Sequence, residues 1–237
     1  MSDLLELFVL TLLAGLAMPL GGWLGRFWKD ESRQSVAEFS HSMMAIGGGA
    51  LLSAVALVLV PDGIVLLSPL VAASCLLLGG VIFMLLDVYL SRAANPASQM
   101  VAMLLDFVPE SLALGAAFAM GNNSAYLLAG LIALQNIPEG FNAFRDLRGS
   151  AGQSDRKILV SFTLLAGLGP VAAGGGFYWF SEHPQALAII VLVAAGGILY
   201  SVFQDIAPRV RLEKHWAPPM GAVLGFMLGM VGAMLVR

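Results

Sequence analysis

Three acidic residues interrupt long apolar stretches of this 237-residue chain. Asp106 and Glu110 have i, i+4 spacing, which places both carboxylates on one face of a helix. Glu139 lies in the next apolar stretch and has the same spacing from Gln135. An ionised acid in the middle of a membrane span costs about 2.5–3.5 kcal/mol on insertion scales. Since neither stretch contains Lys or Arg, the charge must be removed by a proton, met by a bound cation or solvated in an aqueous cavity.

A proline precedes each glutamate of these two stretches, at Pro109 and Pro138. Proline has no N–H, so each one frees the carbonyl four residues before it and bends its helix. Two such helices facing one another would offer an all-oxygen cage, which suits hard or borderline divalent ions. The alternative is that these acids are protonated and only pack beside the proline kinks. We predict a cation site formed by Asp106, Glu110, Gln135 and Glu139, with Asn136 at its periphery.

The composition indicates what kind of protein holds these acids. Hydrophobic residues make up 59% of the chain and charged residues 11%, against about 25% charged in soluble domains. The mean hydropathy is +0.86. These values exclude a soluble enzyme, and a net charge of −3 with no basic stripe excludes a nucleic-acid binder. The single cysteine, Cys75, excludes a disulfide framework and a thiolate metal cluster.

Hydropathy divides the chain into membrane spans, each needing roughly 20 apolar residues. We predict an all-α, polytopic membrane protein with eight transmembrane helices in a single domain over residues 1–237, with a polar cytoplasmic loop at about 145–157. The spans are about 3–25, 38–60, 69–90, 99–121, 124–144, 158–180, 186–207 and 217–236.

Positive charge predicts the orientation of these spans. Eleven of the 12 Lys and Arg residues fall in alternate connections, and Arg237 alone lies on the other side. Because basic residues favour the cytoplasmic side, both termini are expected outside. A multi-pass protein of the cell membrane (inner or plasma membrane) is therefore predicted.

Two pairs of similar segments indicate an internal repeat. Residues 106–111 and 135–140 share the Pro-Glu pattern, and residues 12–16 and 164–168 are both Leu-Leu-Ala-Gly-Leu. In each pair the two segments would cross the membrane in opposite directions. We therefore predict an inverted repeat (3+2+3), an architecture in which transporters hold substrate near the midplane.

These motifs resemble those of the ZIP (Zrt/Irt-like) family of divalent metal transporters. The resemblance is carried by Gln135-Asn136-Ile137-Pro138-Glu139-Gly140, by the Pro-Glu motif at 106–111, by Leu78-Gly79-Gly80 through Asp87, and by Leu199-Tyr200 through Pro208. It implies a metal site at Asp106, Glu110, Gln135 and Glu139, and an exit-path ligand at Asp205. The alternative for Asp205 is a helix-end acid paired with Arg209.

The chain departs from the family at positions that hold metal in other members. Asp106 replaces the usual His of the fourth span, Phe107 replaces an Asn, and Gly169 replaces an acid before the proline of the sixth span. The resemblance therefore implies one metal site, with a second adjacent site degraded or lost.

The predicted function is inward transport of a divalent cation such as Zn²⁺, Mn²⁺ or Fe²⁺. No enzymatic activity and no prosthetic group are expected, and the expected partners are the metal ion and membrane lipid, but no nucleic acid. A homodimer is one option for the oligomeric state. The alternative function is a ZIP-like sensor or scaffold that binds a cation without transporting it.

The Asp106→His variant tests whether Asp106 is a metal ligand. Exchanging a carboxylate for an imidazole softens the site, so we expect preference to shift toward Zn²⁺. An uptake panel of Zn²⁺, Mn²⁺, Fe²⁺, Cd²⁺ and Mg²⁺ measures the ranking beside the wild type. An unaltered ranking would mean that Asp106 does not bind the ion.

Overall fold

The computed structural model describes residues 2–28, 34–93, 97–119, 124–150, 152–180, 182–211 and 216–236. Within these ranges the chain is helical apart from short turns and connections, and contains no strand. We number the helical segments α1 to α8 and count a π-helical turn with the helix that it continues. The fold class predicted from composition, all-α, is confirmed for the described residues.

The segments follow one another with short connections. Their bounds are α1, Ser2–Gly25; α2, Gln34–Ala54 with Val55–Leu59 (π-helical) and Val60–Ile64; α3, Pro69–Ala93; α4, Ala97–Ala119; α5, Ser124–Ser150; α6, Asp155–Ala166 with Leu168–Gly175 and Gly176–Phe180 (π-helical); α7, Pro184–Ser201 with Val202–Ile206 (π-helical) and Ala207–Val210; and α8, Ala217–Val236.

Six of these segments, as far as they are described, are long and apolar enough to cross a membrane: α1, α2, α3, α6, α7 and α8. The remaining two, α4 and α5, carry the predicted metal ligands other than Asp205. The chain therefore has the character of a multi-pass membrane protein. Eight spans remain a prediction.

Several helices continue beyond the predicted spans. Helix α5 extends to Ser150 rather than ending near residue 144, and α6 begins at Asp155 rather than near residue 158. The loop predicted at about 145–157 is therefore helical at both ends. A span predicted from hydropathy ends where polar residues begin, whereas a helix ends where its backbone groups find hydrogen-bond partners outside the helix. At the start of α6, for example, the Ser154 hydroxyl accepts a hydrogen bond from the Lys157 N–H.

Ion pairs gather several basic residues at one end of the bundle. Asp155 accepts from Arg26 at 3.2 Å and from Arg148 at 3.4 Å, and Arg209 lies 3.7 Å from Asp146. This end, where α1, α5 and α7 finish and α6 begins, is called the basic end below. Lys29, Arg33, Lys214 and Arg237, which also entered the charge count, lie outside the described residues, as does the side chain of Arg92.

Glycines allow two parallel helix pairs to touch backbone to backbone. In the α3–α7 pair, Gly79 lies against the carbonyl of Val193 and Gly196 against that of Leu76. The α2–α8 pair repeats this arrangement, with Gly49 against Ala222 and Gly225 against Ile46. A β-carbon at any of these four glycines would overlap the facing carbonyl. Small residues at such contacts are typical of helix packing in membranes.

Helices α2 and α7 share a second feature, a π-helical turn before a proline. The Val60 N–H bonds to the carbonyl of Val55, and the Ala207 N–H bonds to that of Val202. Pro61 and Pro208 follow directly and cannot donate to the preceding turn. Such turns are uncommon and frequently mark functional positions in a helix.

The core lies among α1, α2, α4, α5, α6 and α7. Its largest fully buried side chains include Phe107, Phe141, Phe144 and Phe162. Helices α3 and α8 instead expose many apolar side chains, among them Leu77, Leu85, Val223 and Met234. An apolar exterior around a polar-containing core fits a protein whose outer solvent is lipid.

Gly79→Ala tests the backbone contact between α3 and α7. We expect a loss of about 1–3 kcal/mol in the free energy of unfolding, because the new methyl group must push the Val193 carbonyl away. Thermal unfolding in detergent measures the loss. The matched control is Gly130→Ala on α5, where a β-carbon meets nothing within 4 Å and helix propensity favours alanine. Equal melting temperatures for the two variants would contradict this contact.

Candidate metal site

A cavity of about 270 Å³ lies among α2, α3, α4, α5 and α7 and is lined by most of the predicted ligands. Asp106, Gln135 and Glu139 line its deep part, in the middle of α4 and α5. Asp146 and Arg209 line its mouth at the basic end, where both side chains are about half exposed. The cavity therefore joins the middle of the bundle to one of its ends.

Glu110 and Gln135 join α4 to α5 by a buried hydrogen bond. Gln135 Nε2 donates to Glu110 Oε2 at 2.6 Å, and the two residues are 2% and 0% exposed. With its amide nitrogen engaged, Gln135 keeps its carbonyl oxygen Oε1 as a separate acceptor. Helices α4 and α5 thus face one another, as the predicted cage requires.

Three buried oxygen atoms around this bond have no hydrogen-bond partner within the described residues: Asp106 Oδ1, Glu110 Oε1 and Gln135 Oε1. Asp106 itself is only 8% exposed. A buried acceptor left unpaired costs about 1–3 kcal/mol, and more when it is charged. Oxygen acceptors without donors are the atoms that a hard cation binds.

Glu139 brings a third carboxylate to this region, on the helix turn after Gln135. It is partly buried, lines the cavity, and interacts electrostatically with both Asp106 and Glu110. Asp106 in turn interacts with Asp205. Mutual repulsion among these acids favours the entry of positive charge.

Asn136 has a different role from its neighbours in the motif. Its Nδ2 donates to the backbone carbonyl of Ala14 on α1 at 2.9 Å, and the residue is buried. The amide thereby ties α5 to α1. Asn136 is not among the residues that line the cavity with Gln135 and Glu139.

The carboxylates do not form a closed cage in this conformation. Within the described part of the chain, no group of three or more His, Cys, Asp or Glu side chains is placed to hold a metal ion. Any ion bound here in this conformation would draw ligands from the Gln135 amide and water as well as from the carboxylates.

Asp205 lines the same cavity, on the π-helical turn of α7. The ion pair considered for it, with Arg209, is not the pairing that the structure contains, because the Arg209 guanidinium lies against Asp146 of α5. Arg209 acts on Asp205 only at longer range. Asp205 thus shares the cavity wall with Asp106 and Asp146, and its role as an exit-path ligand stays a prediction.

Further polar residues of the cavity were not identified from the sequence. Asn142 and Asp146 extend the stripe of Gln135 and Glu139 along one face of α5, and Asp87 and Tyr200 join from α3 and α7. Tyr200 donates to Asp87 Oδ2 at 3.2 Å. The stripe has spacings of four, three and four residues, a helical period that was available in the sequence.

Phe107 occupies the region beside the acids, away from the cavity. Its ring is 1% exposed and lies between Gly15 of α1 and Gly169 of α6. A β-carbon at Gly169 would lie 2.6 Å from Phe107 Cζ, and one at Gly15 would lie 2.9 Å from the same atom. The two departures from the ZIP pattern are therefore coupled, since an acid at 169 has no room beside this ring.

Comparison of the chain with protein-family models finds no match, and comparison with curated proteins finds none either. The resemblance to the ZIP family consequently depends on the motifs quoted above. Family membership is a proposal.

Gly169→Ala and Phe107→Leu test the coupling between ring and glycine. Gly169→Ala alone is expected to destabilise the protein by about 1–3 kcal/mol, because the ring must move. Combined with Phe107→Leu, the loss should be smaller than the sum of the two single losses, since the smaller side chain yields space. Unfolding free energies of the wild type, both single variants and the double variant complete the cycle. Additive losses would show that the residues do not share this space.

Proposed function

We propose that this protein is a secondary transporter of divalent metal cations and belongs to the ZIP family. It moves ions such as Zn²⁺, Mn²⁺ or Fe²⁺ into the cytoplasm, and the cation binds among Asp106, Glu110, Gln135 and Glu139. The observation that carries the proposal is the set of three unpartnered, buried oxygen atoms on Asp106, Glu110 and Gln135, beside an acid-lined cavity.

The position of the cavity supports a direction for release. Its mouth lies at the basic end, which the distribution of positive charge assigns to the cytoplasm. From the deep acids, a cation would pass Asn142 and Asp205 before it reaches Asp146. Each step keeps an oxygen ligand within the cavity wall, so the ion exchanges protein oxygens for water gradually.

The repeated helix contacts support the inverted repeat proposed for such a carrier. The α2–α8 and α3–α7 pairs have equivalent glycine contacts, and α2 and α7 have equivalent π-helical turns. Two halves of this kind, in opposite orientation, allow a central site to face either side of the membrane. Eight spans, termini outside and residence in the cell membrane are parts of the same proposal.

A sensor or scaffold that binds the cation without moving it is the second candidate. It is favoured by Phe107, whose ring fills the space between α1, α4 and α6 beside the deep acids. Metal flux into proteoliposomes separates the candidates. Binding without flux would support the sensor, and flux would support the transporter.

Glu139→Gln tests the binding site with little change in volume. Removing one of the carboxylates should abolish metal uptake and most of the stabilisation by Mn²⁺ or Zn²⁺, which reaches about 2.7 kcal/mol when the metal is at 100 times its Kd. Metal-dependent thermal unfolding and proteoliposome uptake are the measurements. Glu139→Ala should act in the same direction.

Glu182→Gln is the matched control, because it removes one acidic charge from an exposed connection away from the cavity. It should behave as the wild type does. Unchanged uptake and unchanged metal stabilisation in Glu139→Gln would exclude this site.

A further inference from the structure

The cavity wall has a marked imbalance of charge. Five of its lining residues are acidic, and one, Arg209, is basic among the described residues that form it. The acids are Asp87, Asp106, Glu139, Asp146 and Asp205. Among the described lining residues, Arg209 is therefore the one that brings positive charge to the cavity.

The Arg209 side chain bridges the mouth of the cavity from α7 to α5. Its Nη1 on α7 is 3.7 Å from Asp146 Oδ2 on α5. Both side chains are about half exposed, at 57% and 50%. An exposed pair at this separation is weak and screened by salt, so it opens and closes readily. A contact with these properties contributes little to the stability of the fold, and another cation can replace it easily.

Arg209 also has a second acid within reach. It follows Asp205 at i, i+4 spacing, with Asp205 on the π-helical turn before Pro208 and Arg209 on the helical turn that contains this proline. The guanidinium and Asp205 already interact electrostatically. The side chain can therefore move from Asp146 to Asp205, the two acids between which an outgoing ion must pass.

We propose that Arg209 is a tethered counter-cation that controls which ions occupy the mouth of this cavity. The inference rests on the proposed function. A divalent cation displaces the guanidinium from Asp146 and Asp205 because it gains about twice the Coulomb energy of a single charge. A monovalent cation gains no more Coulomb energy from these two acids than the Arg209 guanidinium does. It therefore does not displace Arg209 and does not accumulate in the cavity.

Charge-selective thiol labelling tests this role without relying on transport. Ser201 lines the cavity on α7, and Ser201→Cys in a Cys75→Ser background places one thiol there. The rates of modification by a cationic and an anionic methanethiosulfonate reagent are compared in detergent. Arg209→Gln should raise the ratio of cationic to anionic rate about tenfold, since it removes a positive charge that lies about 12 Å further along the same helical segment, on the wall of the same cavity.

Occupancy by monovalent ions provides the second readout. In Arg209→Gln, replacing choline chloride by KCl at equal ionic strength should slow cationic labelling, because K⁺ now enters the wall of acids. In the parent protein, replacing choline chloride by KCl should leave the rate of cationic labelling unchanged. Asp146→Asn, which frees Arg209 to bind Asp205, should lower the cationic rate below that of the parent.

Two variants control for loss of charge and loss of structure. Arg211→Gln removes an equal charge from an exposed residue that does not line the cavity, and should leave both readouts within about twofold of the parent. Arg209→Lys keeps the charge and should also stay close to the parent. If Arg209→Gln matches Arg211→Gln in both readouts, the proposal is overturned.

The labelling result is separate from the test of transport. Absence of Mn²⁺ binding and flux in the wild type would reject the proposed function, while the ratio of labelling rates would still report on Arg209. Normal Mn²⁺ flux with no effect of Arg209→Gln would reject the counter-cation and leave the transporter intact.

Discussion

Charged groups buried in a bundle of apolar helices are the constraint on which the rest of this structure depends. Glu110 is fully enclosed and Asp106 nearly so, yet within the described residues no basic side chain lines the deep part of the cavity that Asp106 faces. The protein satisfies part of this demand with the Gln135 amide and leaves other oxygen atoms unpaired. The cost of that arrangement supports the cation site proposed above.

Close helix packing makes such a site possible in a chain of this size. Backbone contacts at glycine draw α2 against α8 and α3 against α7, and the Asn136 amide holds α5 to α1. Phe107 seals the space beside Gly169. With these contacts in place, the deep acids have access to the surface through the cavity at the basic end, which is lined by oxygen-bearing side chains.

The π-helical turns of α2 and α7, each followed by a proline, illustrate how similar backbone geometry occurs in different surroundings. In α2 the turn contains Val55, Val58 and Leu59, all buried in the core. In α7 the equivalent turn contains Asp205, which faces the cavity. The backbone is set by proline in both cases, but the side chains decide that one turn closes the bundle and the other lines a polar path.

The sequence by itself determined the helical class, the apolar segments and the faces of α4 and α5 that carry the acids, because helical spacing is fixed by local backbone geometry. The polar stripe through Asn142 and Asp146 was available from the same period. Only the tertiary structure decided that Gln135 donates to Glu110, that Asn136 bonds to Ala14, and that Phe107 fits against Gly15 and Gly169. Periodicity identifies a face of one helix, whereas the partner of that face depends on how the whole bundle packs.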